Sequence, residues 1–529
     1  MPLSAPAAHA TPRTSAQRLA ALHRFIVVTV LGFASGLPLA LTGQAMQAWL
    51  SMEGLDVATI GFLSLVGLPY TFKFLWAPLM DRFDLPWLGR RRGWLVASQL
   101  LLALLLLVLG GTSPKGATQA FALLAVAVAF MSASQDVVID AYRTDLLPAH
   151  ERGLGASLAV AGYRLAMILS GGVALIWTDP QQGGGWSWPE VYRLMAGLMV
   201  AAAAVSATLL PKLAAPPTRP ATSNSIRHDL LGFLAVVAAV AVGYAVTDQF
   251  VAPAMHTLMA PLWQKDSTLG VALQGRWADL ASLLVGIAIT LPLAAWAARR
   301  AKFETLLSGL ANYFSQPGAV AFLLFIVLYK LGDAFAGSLM TPFLLKSMAF
   351  SPAEVGLVNK VIGLWLTIAG AIVGGALMFR LGLWRALVVF GVLQMVSNLG
   401  FWWLAVSGKG LMPGLTIPAF DWVIVKLAAP TPVDGGLLMV IAFENLSGGM
   451  GTAAFLAFMM SLCNQRFTAT QFALLSAFAS VGRVWVGPLA GVLAESIGWP
   501  SFFIVSTLAA LPALLMLWWL RASVRALEA

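Results

Sequence analysis

Four carboxylates and five basic groups stand in stretches of sequence that are otherwise apolar. They are Asp136, Asp140, Asp333 and Glu444 against Lys73, Arg164, Lys330, Lys360 and Arg483. An unpaired charge at the centre of a bilayer costs on the order of 3 kcal/mol or more, so such groups face a cavity or one another. A nearly balanced set of this kind suits a small molecule that is both sugar-like and acidic. Hydroxyls and amides need donors and acceptors, and carboxylates need cations. Gln44, Gln135 and Asn445 add neutral polar contacts, and Tyr163 or Trp76 offers a ring to stack on a sugar face. The neutral residues would serve equally well as hydrogen-bonding glue between helices.

Spacing separates the roles. Counting back from Leu147 at roughly 1.5 Å per residue places Asp136 about 16 Å deep, near the midplane. Asp136 and Glu444 have no basic residue within one turn of their own helices. A carboxylate without a local partner is suited to take up and release a proton. Lys330 and Asp333 are three residues apart and share a helix face, as a structural ion pair or as part of a binding site. Asp140 and Arg143 have the same spacing nearer the surface and read as structural. Arg164 and Arg483 read either as partners for the acids or as ligands.

The elements that must hold these groups are membrane helices. Of 529 residues, 59% are hydrophobic and 10% charged, with a mean hydropathy of +0.84. A soluble chain carries roughly 25% charged residues. A helix crosses the hydrocarbon with roughly 20 mostly apolar residues. Fourteen spans are expected, at 25–50, 58–80, 94–112, 118–147, 153–178, 190–210, 229–253, 277–299, 318–341, 353–379, 384–407, 435–463, 469–494 and 499–521. The first follows Arg13, Arg18 and Arg24 but is too long for a signal peptide and lacks a clear cleavage site. With both termini in the cytoplasm, the cytoplasmic segments and the span ends that meet them hold 20 of the 32 Lys and Arg residues. The opposite loops hold only Lys115, Arg193, Lys265, Arg276, Lys346, Lys409 and Lys426, which fixes the orientation. The fold class is therefore an all-α polytopic membrane protein.

Other classes fit poorly. The basic residues are scattered between apolar runs, unlike a nucleic-acid surface. The single Cys463 excludes an intramolecular disulfide framework and a zinc cluster. No HExxH, Walker or nucleophile-elbow pattern stands out, and His9, His23, His150, His228 and His256 lie away from mid-span positions. No polar stretch is long enough for a nucleotide-binding domain. Neither an enzyme nor a cofactor or metal is expected.

The chain repeats itself weakly. Asp81-Arg82 and Gly89-Arg90-Arg91-Arg92 follow the second span; Gly375, Arg380, Gly382 and Arg385 occupy the equivalent place later. Gly162-Tyr163-Arg164 matches Gly482-Arg483 in the same way. This is the pattern of two parallel six-helix repeats. We expect an N-terminal bundle at 1–215, a linker and inserted transmembrane hairpin at 216–316, and a C-terminal bundle at 317–529. Asp81, Arg82, Arg90, Arg91, Arg380 and Arg385 sit where ion pairs at helix ends can gate one conformation, although short basic loops also arise from orientation alone. To 408–433, a longer outer loop with Trp422 and four prolines, no chemistry is assigned.

The two loops resemble the short cytoplasmic motif of the major facilitator superfamily, with the first copy stretched by Phe83–Leu88 and Phe379 standing where an acid is usual. Longer blocks are similar to the AmpG muropeptide permeases. They are Gly32-Phe33-Ala34-Ser35-Gly36-Leu37-Pro38-Leu39-Ala40-Leu41, Phe72-Lys73-Phe74-Leu75-Trp76, Ser132-Ala133-Ser134-Gln135-Asp136 and Leu328-Tyr329-Lys330-Leu331-Gly332-Asp333-Ala334-Phe335. Glu444-Asn445 with Gly448-Gly449-Met450-Gly451-Thr452, and Ala469-Thr470-Gln471-Phe472-Ala473-Leu474-Leu475-Ser476, complete the set. They run through both halves in order and skip 211–316 and 408–433.

The resemblance implies a major facilitator fold of two six-helix bundles, here with two extra helices between them. It implies a proton-driven importer in the bacterial inner membrane, working by alternating access without a cofactor. The implied cargo is N-acetylglucosaminyl-1,6-anhydro-N-acetylmuramic acid, with or without a stem peptide, recovered for peptidoglycan recycling. The expected partners are the muropeptide, protons and the lipid bilayer, with no nucleic acid, and the expected state is a monomer. On this reading Asp136 and Glu444 couple protons. Gln44, Lys73, Gln135, Asp136, Tyr163, Arg164, Lys330, Asp333, Lys360, Glu444 and Asn445 line the cargo site. A facilitator for another anion such as acetyl-CoA, or a membrane-embedded glycan-processing enzyme, is the alternative.

Overall fold

The computed structural model describes residues 15–76, 80, 88–148, 152–182, 184–211, 226–263, 271–303, 307, 311, 314–315, 318–422, 425–462 and 468–527. These are mostly helical. Twelve stretches among them are long and apolar enough to cross a membrane. The expected spans differ from these in two places. The second is a shorter, broken rod: helix Val57–Leu63, a 3-10 turn Ser64–Gly67, helix Leu68–Phe72 and a further 3-10 turn Lys73–Leu75. The last two form one apolar stretch, Ala477–Trp519, whose helix is interrupted at Gly498. There φ is +75°, a conformation open to glycine, and Trp499-Pro500 follow.

Close backbone approach through small residues packs the helices. Ser15–Leu41 lies along Arg152–Met167, where a Cβ on Gly162 would sit 2.1 Å from the Thr29 carbonyl oxygen. Such contacts substitute for the hydrophobic force that lipid does not supply between helices.

Side-chain packing gives the molecule its shape. One continuous core joins residues from both halves, among them Trp49, Trp177, Phe335, Phe343 and Phe502. The opposite end holds two separate cores. One is built from the first half around Trp76, Tyr142 and Leu146, the other from the second half around Phe390, Phe458 and Leu517. The halves are thus packed together at one end, and each keeps its own core at the other.

The joined end is a seam. A Cβ on Gly61 would lie 2.5 Å from the Gly487 carbonyl oxygen, so these two helices touch backbone to backbone. Ser64 Oγ donates to the Val484 carbonyl at 3.2 Å, and the Thr71 and Ser480 hydroxyls bond at 3.1 Å. Ala58 N–H donates to Glu495 Oε1 at 3.1 Å, and Gln47 Nε2 donates to the Ser338 carbonyl at 2.9 Å. Lys346 bonds the Leu55 carbonyl. Asp179 accepts from Gln181 and Gln182 N–H on one oxygen and from Ala353 N–H, across the seam, on the other.

Segment 408–433 is not shapeless. It folds as two antiparallel strand pairs, β1 (Leu415–Ile417) with β4 (Thr431–Val433) and β2 (Phe420–Trp422) with β3 (Val425–Leu427). Leu427 packs on Ile176 and Ala353, one from each half. Ala428 and Ala429 N–H donate to the backbone and side-chain oxygens of Gln182, at 3.1 and 3.3 Å. The segment's base is anchored in the second half, where the buried Glu354 carboxylate pairs with Lys409 at 3.1 Å and accepts from Asp434 N–H at 2.8 Å.

Candidate functional site

Three polar groups lie inside the helices. The first surrounds Asp136 on the helix Thr118–Leu146. Ser35 Oγ donates to Asp136 Oδ1 at 2.5 Å from the first helix. Lys73 stands close enough to act on Asp136 electrostatically, as does Asp140 one turn along. Asp136 therefore has a cation near it, delivered by the 3-10 turn that ends the broken second rod and not by its own helix. Tyr70, on the same rod, buries its hydroxyl near Asp136 and Ser132. Neither Ser35 nor Tyr70 is singled out by charge or spacing; Ser35 is visible only as a small polar residue in an apolar run.

The second group is Lys330 with Asp333, an ion pair at 3.4 Å whose side chains are 14% and 33% exposed. Lys330 stands at the break between helices Ala319–Tyr329 and Leu331–Ser338, and its Nζ also reaches Thr452 Oγ1 at 3.4 Å and lies 5.9 Å from the Phe455 ring centre. Gln394 Nε2 donates to the same Asp333 oxygen at 3.5 Å. The expected shared face exists despite the break.

The third is Glu444 with Asn445 on Gly435–Ser461. Asn445 Nδ2 donates to Glu444 Oε2 at 2.7 Å and to the Ile441 carbonyl at 2.9 Å, while its Oδ1 accepts from Thr367 at 2.7 Å. Asn445 is thus bound into the helix packing on both its donor and acceptor sides.

The other expected site residues fall out as follows. Gln44 opens the short helix Gln44–Met52 and is partly exposed, as are Tyr163 and Arg164. Arg164 pairs with no acid among the described residues. Gln135 is fully buried, and neither of its amide atoms has a hydrogen-bond partner among the described residues. Trp76 is not free to stack on a cargo: its indole donates to Ser134 Oγ at 3.0 Å and packs on Phe130. Asp140 and Arg143 form the expected surface pair at 3.2 Å. Of the gating set, Arg91 pairs with Asp145 at 3.3 Å, and Arg380 and Arg385 are exposed. Asp81 and Arg82 lie outside the described residues, as do the side chains of Arg90, Lys360 and Arg483.

Polar groups set singly or in pairs within apolar helices, with a seam at one end, suit the passage of a polar solute better than bond-making on one. The Major Facilitator Superfamily model matches residues 25–425. The anhydromuropeptide permease of Escherichia coli K12 is 42% identical over 93% of this chain and 79% of its own length. An uncharacterized protein of Haemophilus influenzae is 32% identical over 94% of both chains. Among solved structures, a POT family transporter in complex with a thioalcohol-conjugated peptide matches with a TM-score of 0.62 at 14% identity, over 94% of this chain and 96% of that one. That likeness is one of fold. Fold, spans and relatives agree: this multi-pass membrane transporter belongs to the Major Facilitator Superfamily and, within it, to the family of the anhydromuropeptide permeases.

Proposed function

We propose that this chain imports anhydromuropeptides from the periplasm to the cytoplasm across the bacterial inner membrane. The carrying observation is the 42% identity to a protein named anhydromuropeptide permease, sustained over 93% of the chain. The distribution of Lys and Arg supports both termini lying in the cytoplasm, and so a seam on the periplasmic side. On that reading the structure is closed to the periplasm, with the two separate cores at the cytoplasmic end. Fourteen crossings follow if the broken rod 57–75 and the two parts of 477–519 each count as a pass. The bundles are then 1–215 and 317–529, with the hairpin of 216–316 between them.

Transport is coupled to protons through Asp136. Asp136 accepts from Ser35 with Lys73 nearby, and exposure to one side and then the other can load and unload a proton. Glu444 is the second candidate. Lys330 and Asp333 contact the cargo, the lysine serving its carboxylates, and one copy of the chain suffices. The deciding experiment is uptake of labelled anhydro-disaccharide-peptide by inside-in vesicles containing the purified chain, with and without an imposed pH gradient. Gradient-dependent accumulation is expected. Equal labelling of protein-free vesicles would overturn the function, and accumulation indifferent to the gradient would overturn the coupling alone.

A further inference from the structure

A cavity of about 230 Å3 opens at the end of the second half farthest from the seam, lined by Leu381, Trp384, Arg385 and Arg525. Its wall is held rigidly. Trp384 is buried and its indole N–H donates to the Leu517 carbonyl at 2.9 Å. The guanidinium carbons of Arg525 and Arg521 lie 5.0 and 5.1 Å from the Trp384 ring centre, and Arg521 also lies 5.7 Å from that of Trp518. Stacking on indole fixes a guanidinium in place while leaving its N–H edge free to donate.

Among the described residues, Arg385, Arg521 and Arg525 pair with no carboxylate. Residues 355–420 contain no Asp or Glu, and 496–529 contain Glu528 alone. Three arginines around one aromatic wall, with two facing a common cavity, make a receptor for an oxyanion. The planar fork matches phosphate oxygens two at a time. The flanking Trp518 and Trp519 rings are exposed at the end of an apolar helix, as in the aromatic belt at headgroup level. Basic pockets between spans at this level bind acidic headgroups.

We propose that Arg385 and Arg525, with Arg521 behind them, form a binding site for the phosphate of an anionic phospholipid. The bound headgroup would tie the start of helix Leu383–Ser407 to the end of the last span and its continuation, Arg521–Ala526. Inorganic phosphate has the same chemistry, so the test separates the two.

The purified full chain in neutral detergent is titrated with phosphatidylglycerol or phosphatidylcholine, and retained lipid is read by native mass spectrometry. We expect phosphatidylglycerol to be retained at least tenfold more tightly by the unmodified chain than by Arg385→Gln/Arg525→Gln, and phosphatidylcholine to be held equally by both. Equal retention of phosphatidylglycerol by the two chains would overturn the site. Displacement of the lipid by millimolar inorganic phosphate would keep the site but overturn lipid as its occupant. If the glutamine variant fails to fold, Arg385→Lys/Arg525→Lys takes its place. It preserves the charges but not the fork, and must still lose part of the preference; unaltered binding there would overturn the proposal.

Discussion

Asp136 accepts its bond from Ser35 on one helix and feels Lys73 from another, so its protonation is tied to how three helices sit. Helix periodicity shows only same-helix neighbours, which is why these partners of Asp136 were not legible in the sequence. Asp136→Asn mimics the protonated acid. Exchange of labelled cargo should survive while gradient-driven accumulation disappears. Moving one charge through roughly 100 mV contributes about 2.3 kcal/mol, equivalent to an approximately fiftyfold gradient of neutral cargo, and vesicle uptake would show its loss. Uphill uptake at the unmodified level would rule Asp136 out and turn attention to Glu444. Lys330→Ala leaves Asp333, among the described residues, with the 3.5 Å donor Gln394, and uptake should fall at least tenfold. Exchanging the two residues separates the roles: a structural pair would tolerate Lys330→Asp with Asp333→Lys, whereas a cargo contact would not.

The inserted hairpin shows how an element can be found in sequence while its role is hidden. Its spans, Leu230–Pro261 and Leu273–Arg300, were readable from apolar length. Their docking was not, because it rests on two adjacent residues. Arg276 donates to Asp56 Oδ2 at 3.1 Å and Thr59 Oγ1 at 2.7 Å in the first half, and Trp277 Nε1 donates to Ser496 Oγ at 2.8 Å in the second. Leu280 packs with Ala58 and Val492 beneath them. The hairpin thus touches both sides of the seam, and Arg276→Ala should weaken closure there without unfolding the bundles. We expect faster labelling of a cysteine introduced into the seam in a Cys463→Ser background, with melting temperature changed by no more than a few degrees. Asp56 sets the pH range. Burial pulls its carboxyl up, but bonds from Thr59 and the Arg276 charge outweigh that and hold it below the ordinary 3.8. A lowered carboxyl contributes fully above its unfolded value and loses its contribution as pH falls through the folded one. The docking should therefore persist at pH 5 to 7 and fail only below about pH 4, as spin-label distances across the seam, measured against pH, would report. The break at Lys330 and the 3-10 turns of 57–75 escaped sequence reading for the same reason as the docking: tertiary packing, not local composition, decides them.

At the scale of the whole molecule, one joined core and two separate ones describe a single state of a two-state machine. The backbone crossing of the seam needs Gly61 and Gly487 to carry no side chain. A Cβ on Gly487 would meet Ser64 Oγ at 1.7 Å and the Gly61 carbonyl at 2.8 Å. Overpacking of this kind costs about 1–3 kcal/mol, so Gly487→Val should shift the closed-to-open ratio by roughly 5- to 150-fold and slow turnover accordingly. Distances measured across the seam by spin labels would show the shift, and an unchanged distribution would refute it. The all-helical membrane fold was legible because it is written in apolar length and hydropathy; the state of the gate was not, because both states use the same sequence. The strand pairs of 415–433 have a practical consequence. They are anchored in one half yet rest on Gln182 of the other. Separating the halves would uncover Gln182 and dismantle that surface. An antibody fragment selected against the intact strands would therefore recognise a conformation and not merely a loop, and added to the reconstituted chain it would halt the cycle with the door shut.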